Sequence, residues 1–268
     1  MMVVLNEPNN RITAETFVEV DKIKQHFGGS AHTYKLGAQL QYKVGQTLLT
    51  KVHSNPVNVC LDLGCGPGLF SQELGSNSEC LISLDLSLPM LKTNAQSSNK
   101  VQGNSHNLPL LNESVDLVFS SLMIQWCDFY EVLSQVYRIL KPGGKAVIST
   151  LIKGSLTELE QAWTKIDNDN HVHCYLAMEE LVEYTNKIKW QRIVIEQEKE
   201  TFWFKDVISL AKELKHLGAN HVESRKNKGL MTKSKWQKME SEYQNLFFEE
   251  DKNAIPASYQ VVYIELIK

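Results

Sequence analysis

A chain of 268 residues, 43% hydrophobic and 22% charged, has material for one sizeable core, or a core with an elaborated lid. Its formal charge of −3 argues against a general polyanion binder, and no apolar run approaches the ~18 residues a membrane span requires. Five cysteines (Cys60, Cys65, Cys80, Cys127, Cys174) without a C-x-x-C pair argue against a disulfide framework and a zinc ribbon. The start, Met1 to Pro8, lacks the basic n-region of a secretory signal. A cytoplasmic protein without a bound metal is expected.

In chain order, residues 1–15 are polar and unpatterned. Phe17, Val20, Ile23 and Phe27 recur at helical spacing up to Gly28-Gly29, and a second helical pattern runs from about Ala31 to Val52. Strand and helix signals then alternate. Val57–Leu63 reads as a buried strand, followed by a glycine turn and a helix near Leu69–Leu74. Cys80–Asp85, Val101-Gln102, Val115–Ser120 and Ala146–Leu151 are further strands, with helices at Ser87–Ala95 and Phe129–Leu140. Lys141-Pro142-Gly143-Gly144 reads as a turn. Such alternation predicts an α/β fold with a doubly wound, mostly parallel sheet.

The C-terminal half has a different rhythm. Ser155-Leu156-Thr157-Glu158 reads as a capping box opening a helix to about Asp167. Ile193–Gln197 and Tyr259–Leu266 are strand-like, which brings the sheet to seven strands, the last an antiparallel partner. Helical patterns near Val207–Leu217 and Lys233–Leu246 lie between them. The expected organisation is a pair of N-terminal helices within 1–52 covering the site, then one domain over 53–268 with a helical lid insertion at about 205–255.

Leu61-Asp62-Leu63-Gly64-Cys65-Gly66-Pro67-Gly68 follows an apolar strand and precedes a helix, as a cofactor-binding turn must. The third glycine of a dinucleotide fingerprint would fall at Leu69, and no Gly-Lys-Ser/Thr follows, so neither a pyrophosphate nor a P-loop reading holds. Asp62 would repel a phosphate and suits an ammonium group. Asp85, nineteen residues after Gly66, can accept from both hydroxyls of a ribose. A purely structural alternative is a tight strand-to-helix turn with Asp85 as N-cap. Taken together, the turn and two carboxylates point to a nucleoside with a cationic amino-acid arm, and S-adenosylmethionine fits.

Asp62-x-Gly64-x-Gly66-x-Gly68 resembles motif I of the class I S-adenosylmethionine methyltransferases, and Asp85-Leu86-Ser87 with Met90-Leu91 resembles the segment that follows it. The resemblance implies an adenine contact from Gly103-Asn104-Ser105-His106-Asn107-Leu108-Pro109; many relatives carry Asp where this chain has Asn104, whose carbonyl can still accept from the adenine amine. By the same resemblance the cofactor set is Asp62, Gly64, Gly66, Gly68, Asp85, Leu86, Asn104, Ser105 and Ser121.

Further segments are similar to the malonyl-acyl-carrier-protein O-methyltransferases of biotin synthesis. They are His26-Phe27-Gly28 with Tyr34, Gln125-Trp126-Cys127, Thr150 to Leu156 with Ala162-Trp163, His171-Val172 before Tyr175, and Leu214-Lys215 with Arg225. The implied chemistry is methyl transfer to the free carboxylate of a malonyl thioester, a group anionic at neutral pH that needs no general base. Tyr34 and Arg225 are then the catalytic candidates, with Gln125, Trp126, His171 and Arg225 toward the substrate. Relatives often have Asn-Arg where this chain has His173-Cys174, which removes an arginine clamp there. Alternatives on the same scaffold are a small-molecule methyltransferase of other specificity and a non-methylating respiratory-complex assembly factor, some of which share a Pro-x-x-Tyr segment like Pro256–Tyr259.

Segment 212–238 carries eight Lys and Arg against Glu213 and Glu223, a net +6 that leaves −9 for the rest of the chain. A charge run is commonly a solvated face. The sharper expectation is a dock for an acidic acyl carrier protein. Trp236 is the one aromatic interleaved there, so nucleic acid ranks below an acidic protein.

Overall fold

In the computed structural model, which describes residues 38–52, 55–97, 99–216 and 232–268, the alternation resolves into a single seven-stranded sheet. The strands are β1 (Val57–Leu63), β2 (Ser78–Asp85), β3 (Asn99–Gln102), β4 (Val115–Ser121), β5 (Leu140–Leu151), β6 (Arg192–Phe204) and β7 (Ile255–Ile267). Their spatial order is β3-β2-β1-β4-β5-β7-β6. The first five are parallel, and β7 runs antiparallel to both β5 and β6. The chain winds outward from β1 in both directions, so β1 and β4 flank the topological switch point where such sheets bind ligands.

Period-two alternation along the central strands builds two cores, one on each face. Cys60, Leu117, Phe119, Val147, Val261 and Tyr263 face one layer. Leu61, Val118, Ala146, Ile148, Val262 and Ile264, their chain neighbours, face the other. The first layer is covered by α1 (Gln39–Thr50) through Leu40, Val44 and Leu48 and by α2 (Ser71–Ser76) through Leu74. A short helix, α3 (Leu88–Thr93), follows β2, capped by the Ser87 hydroxyl. The second layer is covered by α4 (Phe129–Ile139), which buries Phe129, Val132, Leu133, Val136 and Ile139 at helical spacing. Its N-cap, Asp128, accepts from the Glu131 N–H at 2.9 Å.

The remaining helices are α5 (Thr157–Thr164), α6 (Met178–Asn186), α7 (Val207–His216) and α8 (Lys233–Phe247). Both α7 and α8 lie between β6 and β7 in the chain and join the first layer through Val207, Leu210, Met239 and Tyr243. Among the described residues no helix is long and apolar enough to cross a membrane.

Two local expectations are corrected, and one helix had not been expected. Lys141-Pro142-Gly143-Gly144 is not a turn ending before a strand; it is an irregularity inside β5, where the register to β4 shifts between Val115 and Leu117. Gly143 sits at φ +77 and its N–H donates to the Lys268 carbonyl at 2.7 Å, so the segment is held by β7. Nor do Ser155 and Glu158 form a capping box. The N-cap of α5 is Leu156 in a left-handed conformation (φ +55), without a side-chain cap. Ser155 Oγ instead accepts from the Gln260 N–H, and the buried Glu158 carboxylate accepts from the Ser258 N–H, so both serve β7. Finally, α6 escapes the sequence signals because its N-cap is Ala177; Glu180 alone reaches back to the Ala177 N–H, at 2.9 Å.

Candidate cofactor site

A cleft of about 790 Å³, partly open to solvent, lies at the carboxyl ends of β1, β2, β3 and β4. Its walls include Gly64, Gly66, Asp85, Leu86, Asn104, Ser105, Ser121 and Trp126 among the expected residues. Ser87, Met90, His106, Leu122, Met123 and Cys127 also line it and were absent from the expected set. Of these, Ser87, Met90, His106 and Cys127 lay inside the segments that carry the family resemblance, without a role of their own; Leu122 and Met123 are apolar side chains with no chemical signature in a sequence.

The turn after β1 uses its three glycines differently. All have positive φ, at +72, +51 and +75 for Gly64, Gly66 and Gly68. A Cβ at Gly66 would meet nothing within 4 Å, since it faces the open cleft. At Gly68 a Cβ would stand 2.3 Å from Cγ of Asn94. Gly68 therefore packs the turn against Asn94 and is not among the residues of the cleft wall. The Asn94 amide, fully buried, donates to Ser71 Oγ at 2.9 Å, and its Oδ1 accepts from the N–H groups of Gln96 and Ser97.

Asp85 ties the turn to the second strand. Its carboxylate accepts from the Gly66 N–H at 2.8 Å and the Ser87 N–H at 2.7 Å, one on each oxygen. The N-cap of α3 is Ser87, so Asp85 is not a capping residue. Burial raises the Asp85 pKa, while the Ser87 and Gly66 N–H groups pull it back. Each oxygen keeps a lone pair for a further donor. Asp62 is 4% exposed, beneath the turn rather than in the cleft wall. Burial pushes its pKa up, the Asp85 charge adds to this, and a hydrogen bond from Ser71 opposes it; the outcome is about 8. A buried acid beside a half-buried one of like charge makes a site that a cation stabilises, which fits a ligand bearing an ammonium and a sulfonium.

The substrate-side expectations divide. Trp126 lines the cleft and lies against the His173 ring, centroids 4.6 Å apart. Gln125 does not line it. Its amide donates to the Leu122 carbonyl at 2.8 Å and accepts from Thr150 Oγ1, so both ends are used inside the fold. His171 is also elsewhere: it stacks on the buried Trp163 at 3.7 Å and bonds to Asp167 at 2.7 Å. Burial would raise the Asp167 pKa, but hydrogen bonds from Lys235 and His171 outweigh it and hold the carboxyl at about 2. Lys235 thus pins the start of α8 to the segment after α5. Tyr34 and Arg225 lie outside the described residues. Asn104 lines the cleft, yet its Oδ1 already accepts from the His106 N–H at 3.0 Å and meets His106 Nδ1 at 2.9 Å. The acceptor expected to face an adenine amine is therefore taken by the loop itself.

A glycine turn at the switch point of this sheet, with one buried acid beneath it and a second at the end of the next strand, defines a class I S-adenosylmethionine-dependent methyltransferase. Residues 61–148 match the methyltransferase domain family. The YcgJ protein of Bacillus subtilis has the same fold, with a TM-score of 0.60 at 14% identity over 85% of this chain and 98% of that one. The malonyl-[acyl-carrier protein] O-methyltransferase of Hamiltonella defensa is 36% identical, covering 94% of this chain and 97% of the relative. A bifunctional biotin biosynthesis protein, BioHC of Cellvibrio japonicus, is 34% identical over 96% of this chain, which spans about half (52%) of that relative. The chain belongs to the malonyl-[acyl-carrier protein] O-methyltransferase family.

Proposed function

We propose that the chain methylates the free carboxylate of a malonyl group carried on acyl carrier protein, an early step of biotin synthesis. The observation that carries this reading is the near end-to-end match, 97% of its length, to a relative of that name. S-adenosylmethionine supplies a methyl carbon made electrophilic by its sulfonium. Asp85 accepts from the ribose hydroxyls through the lone pairs its backbone partners leave, and Asp62, drawn to its ionised form by the ligand's cationic groups, provides the negative charge under the amino-acid arm. The glycine turn lets backbone approach the ligand where a side chain would fill the cleft.

The acceptor oxygen is already anionic at neutral pH, so the protein's task is alignment and exclusion of water from a reaction in which opposite charges are neutralised. Trp126 forms part of the apolar wall. Arg225 holds the carboxylate as a two-pronged donor, and Tyr34 closes over the cofactor from the N-terminal helices of 1–52. The helical insertion of about 205–255 forms the lid, and its basic segment 212–238 docks the acidic carrier. The five cysteines, all free thiols, suit the reducing cytoplasm.

Incubation with methyl-labelled S-adenosylmethionine and malonyl-acyl carrier protein should yield labelled methyl ester. No ester from either the carrier protein or a coenzyme A thioester would overturn the reading. Charge reversal at Lys226 and Lys228 should slow turnover of the carrier-bound substrate and spare a minimal malonyl thioester, because rim charges act on association rate. Arg225→Ala should impair both substrates alike.

A further inference from the structure

The loop after β3 carries a hydrogen-bond relay whose direction can be deduced atom by atom. The Asp128 backbone N–H points at His106 Nε2 at 2.9 Å. A backbone N–H can only donate, so Nε2 must be the unprotonated nitrogen of the ring. The proton of the neutral imidazole therefore sits on Nδ1, which lies 2.9 Å from Asn104 Oδ1 and donates to it. Burial lowers the His106 pKa, against the pull of the Glu131 and Asp128 charges, and this favours the neutral ring.

The second donor to Oδ1 is the His106 backbone N–H at 3.0 Å. This contact independently assigns the amide, because an NH₂ group in that position would face another donor. Both lone pairs of Oδ1 are then occupied. Among the described residues Nδ2 has no partner, on a side chain that lines the cleft beside Gly103 and Ser105.

We propose that Asn104 reads the purine of the bound nucleoside as a hydrogen-bond donor, through Nδ2, and that His106 is the positioning residue that sets this polarity. An aspartate here, held by the same two donors, would instead present a bare oxygen and read the exocyclic amine. The chain thus recognises an acceptor on the base edge, a ring nitrogen in adenine or the carbonyl of a 6-oxopurine. It discriminates weakly between the two. This inference rests on the cofactor reading of the cleft.

The test uses the full chain and two product analogues, S-adenosylhomocysteine and S-inosylhomocysteine, with affinities from titration calorimetry. The parent should favour the adenosyl compound by about 10-fold or less, whereas Asn104→Asp should favour it by about 100-fold or more, since its oxygen faces a carbonyl oxygen in the inosyl compound. His106→Phe keeps the ring and the backbone N–H to Oδ1 but loses the Nδ1 proton, one of the two donors that hold the carboxamide, so part of the amide population can turn. Its preference should move toward that of Asn104→Asp, while a purely structural role would weaken both ligands equally. Imidazole ¹⁵N shifts should show protonated Nδ1 and unprotonated Nε2 before and after ligand addition. A parent preference of about 100-fold, an unchanged preference in both variants, or a proton on Nε2 would each overturn the proposal. Failure of the parent to bind either compound would instead overturn the cofactor reading itself, on which the proposal depends.

Discussion

The two ends of the sheet are built on opposite terms. Along β6 and β7 the pairing is unbroken from Arg192–Ile267 to Phe204–Ile255. The outer strand carries Glu196, Glu198, Lys199 and Glu200, of which Glu196 and Glu200 pair with Lys51 and Lys43, and such charges discourage an outermost strand from pairing with other chains. Tyr243 on α8 is fully buried and its hydroxyl donates to the Pro256 carbonyl at 2.7 Å. At the β1–β2 end the backbone instead turns through three positive-φ glycines, and the buried Asp62 lies close enough to the half-buried Asp85 to feel its charge. Nearby, Leu122 takes a left-handed backbone (φ +50), held by hydrogen bonds from its N–H to the Ser149 carbonyl and hydroxyl. One end is built for its own stability and the other for a ligand.

The largest expected effect is on the pH dependence of stability at the ligand end. With a folded pKa of about 8, above its unfolded value, the Asp62 contribution is fully present below about pH 4 and is lost as pH rises through 8. Between those limits the unfolded state has released a proton that the folded state keeps, so stability falls by about 1.4 kcal/mol per pH unit. Asp62→Asn should flatten that slope, melt higher than the parent at pH 8 without ligand, and bind S-adenosylmethionine more weakly. Melting curves at pH 5, 6, 7 and 8 decide it; parallel curves for parent and variant would show that Asp62 titrates normally.

Gly68→Ala should come next, at about 3 kcal/mol of lost stability, from the left-handed backbone and the overlap with Asn94. Urea unfolding measures it, and a midpoint unchanged from the parent would mean that the Asn94 contact is not close in solution. Asp85→Ala should weaken cofactor binding by roughly 1.5–3 kcal/mol in a folded protein, because the ribose loses a charged acceptor. Calorimetry showing full affinity would remove Asp85 from the site. The smallest effect belongs to the far end. Tyr243→Phe should cost about 1 kcal/mol of stability and leave cofactor affinity unchanged, so a clear affinity loss would mean that the two ends are coupled.

Much of this protein follows from local sequence. Apolar alternation dictates which neighbours on a strand face each core, and Gly64, Gly66 and Gly68 announce a turn that side chains would block, so the sheet and the Asp62–Asp85 pair were readable in advance. Where tertiary structure decided the outcome, a group had more than one possible partner and the packing around it chose between them. Ser155 and Glu158 have the spacing of a capping box, but β7 presents unpaired N–H groups whose burial would cost more than an uncapped helix end. Lys141 to Gly144 has the composition of a turn, yet β4 and β7 on either side draw it into the sheet as a bulge. Gln125 and Asn104 are amides that a sequence can place near a ligand but cannot orient. The Leu122 carbonyl and the Thr150 hydroxyl turn the first inward. A backbone N–H from the segment after β4, at Asp128, fixes the tautomer of His106 and through it the face that the second shows to the base, because a hydrogen bond's polarity is set by the whole chain of donors and acceptors to which it belongs.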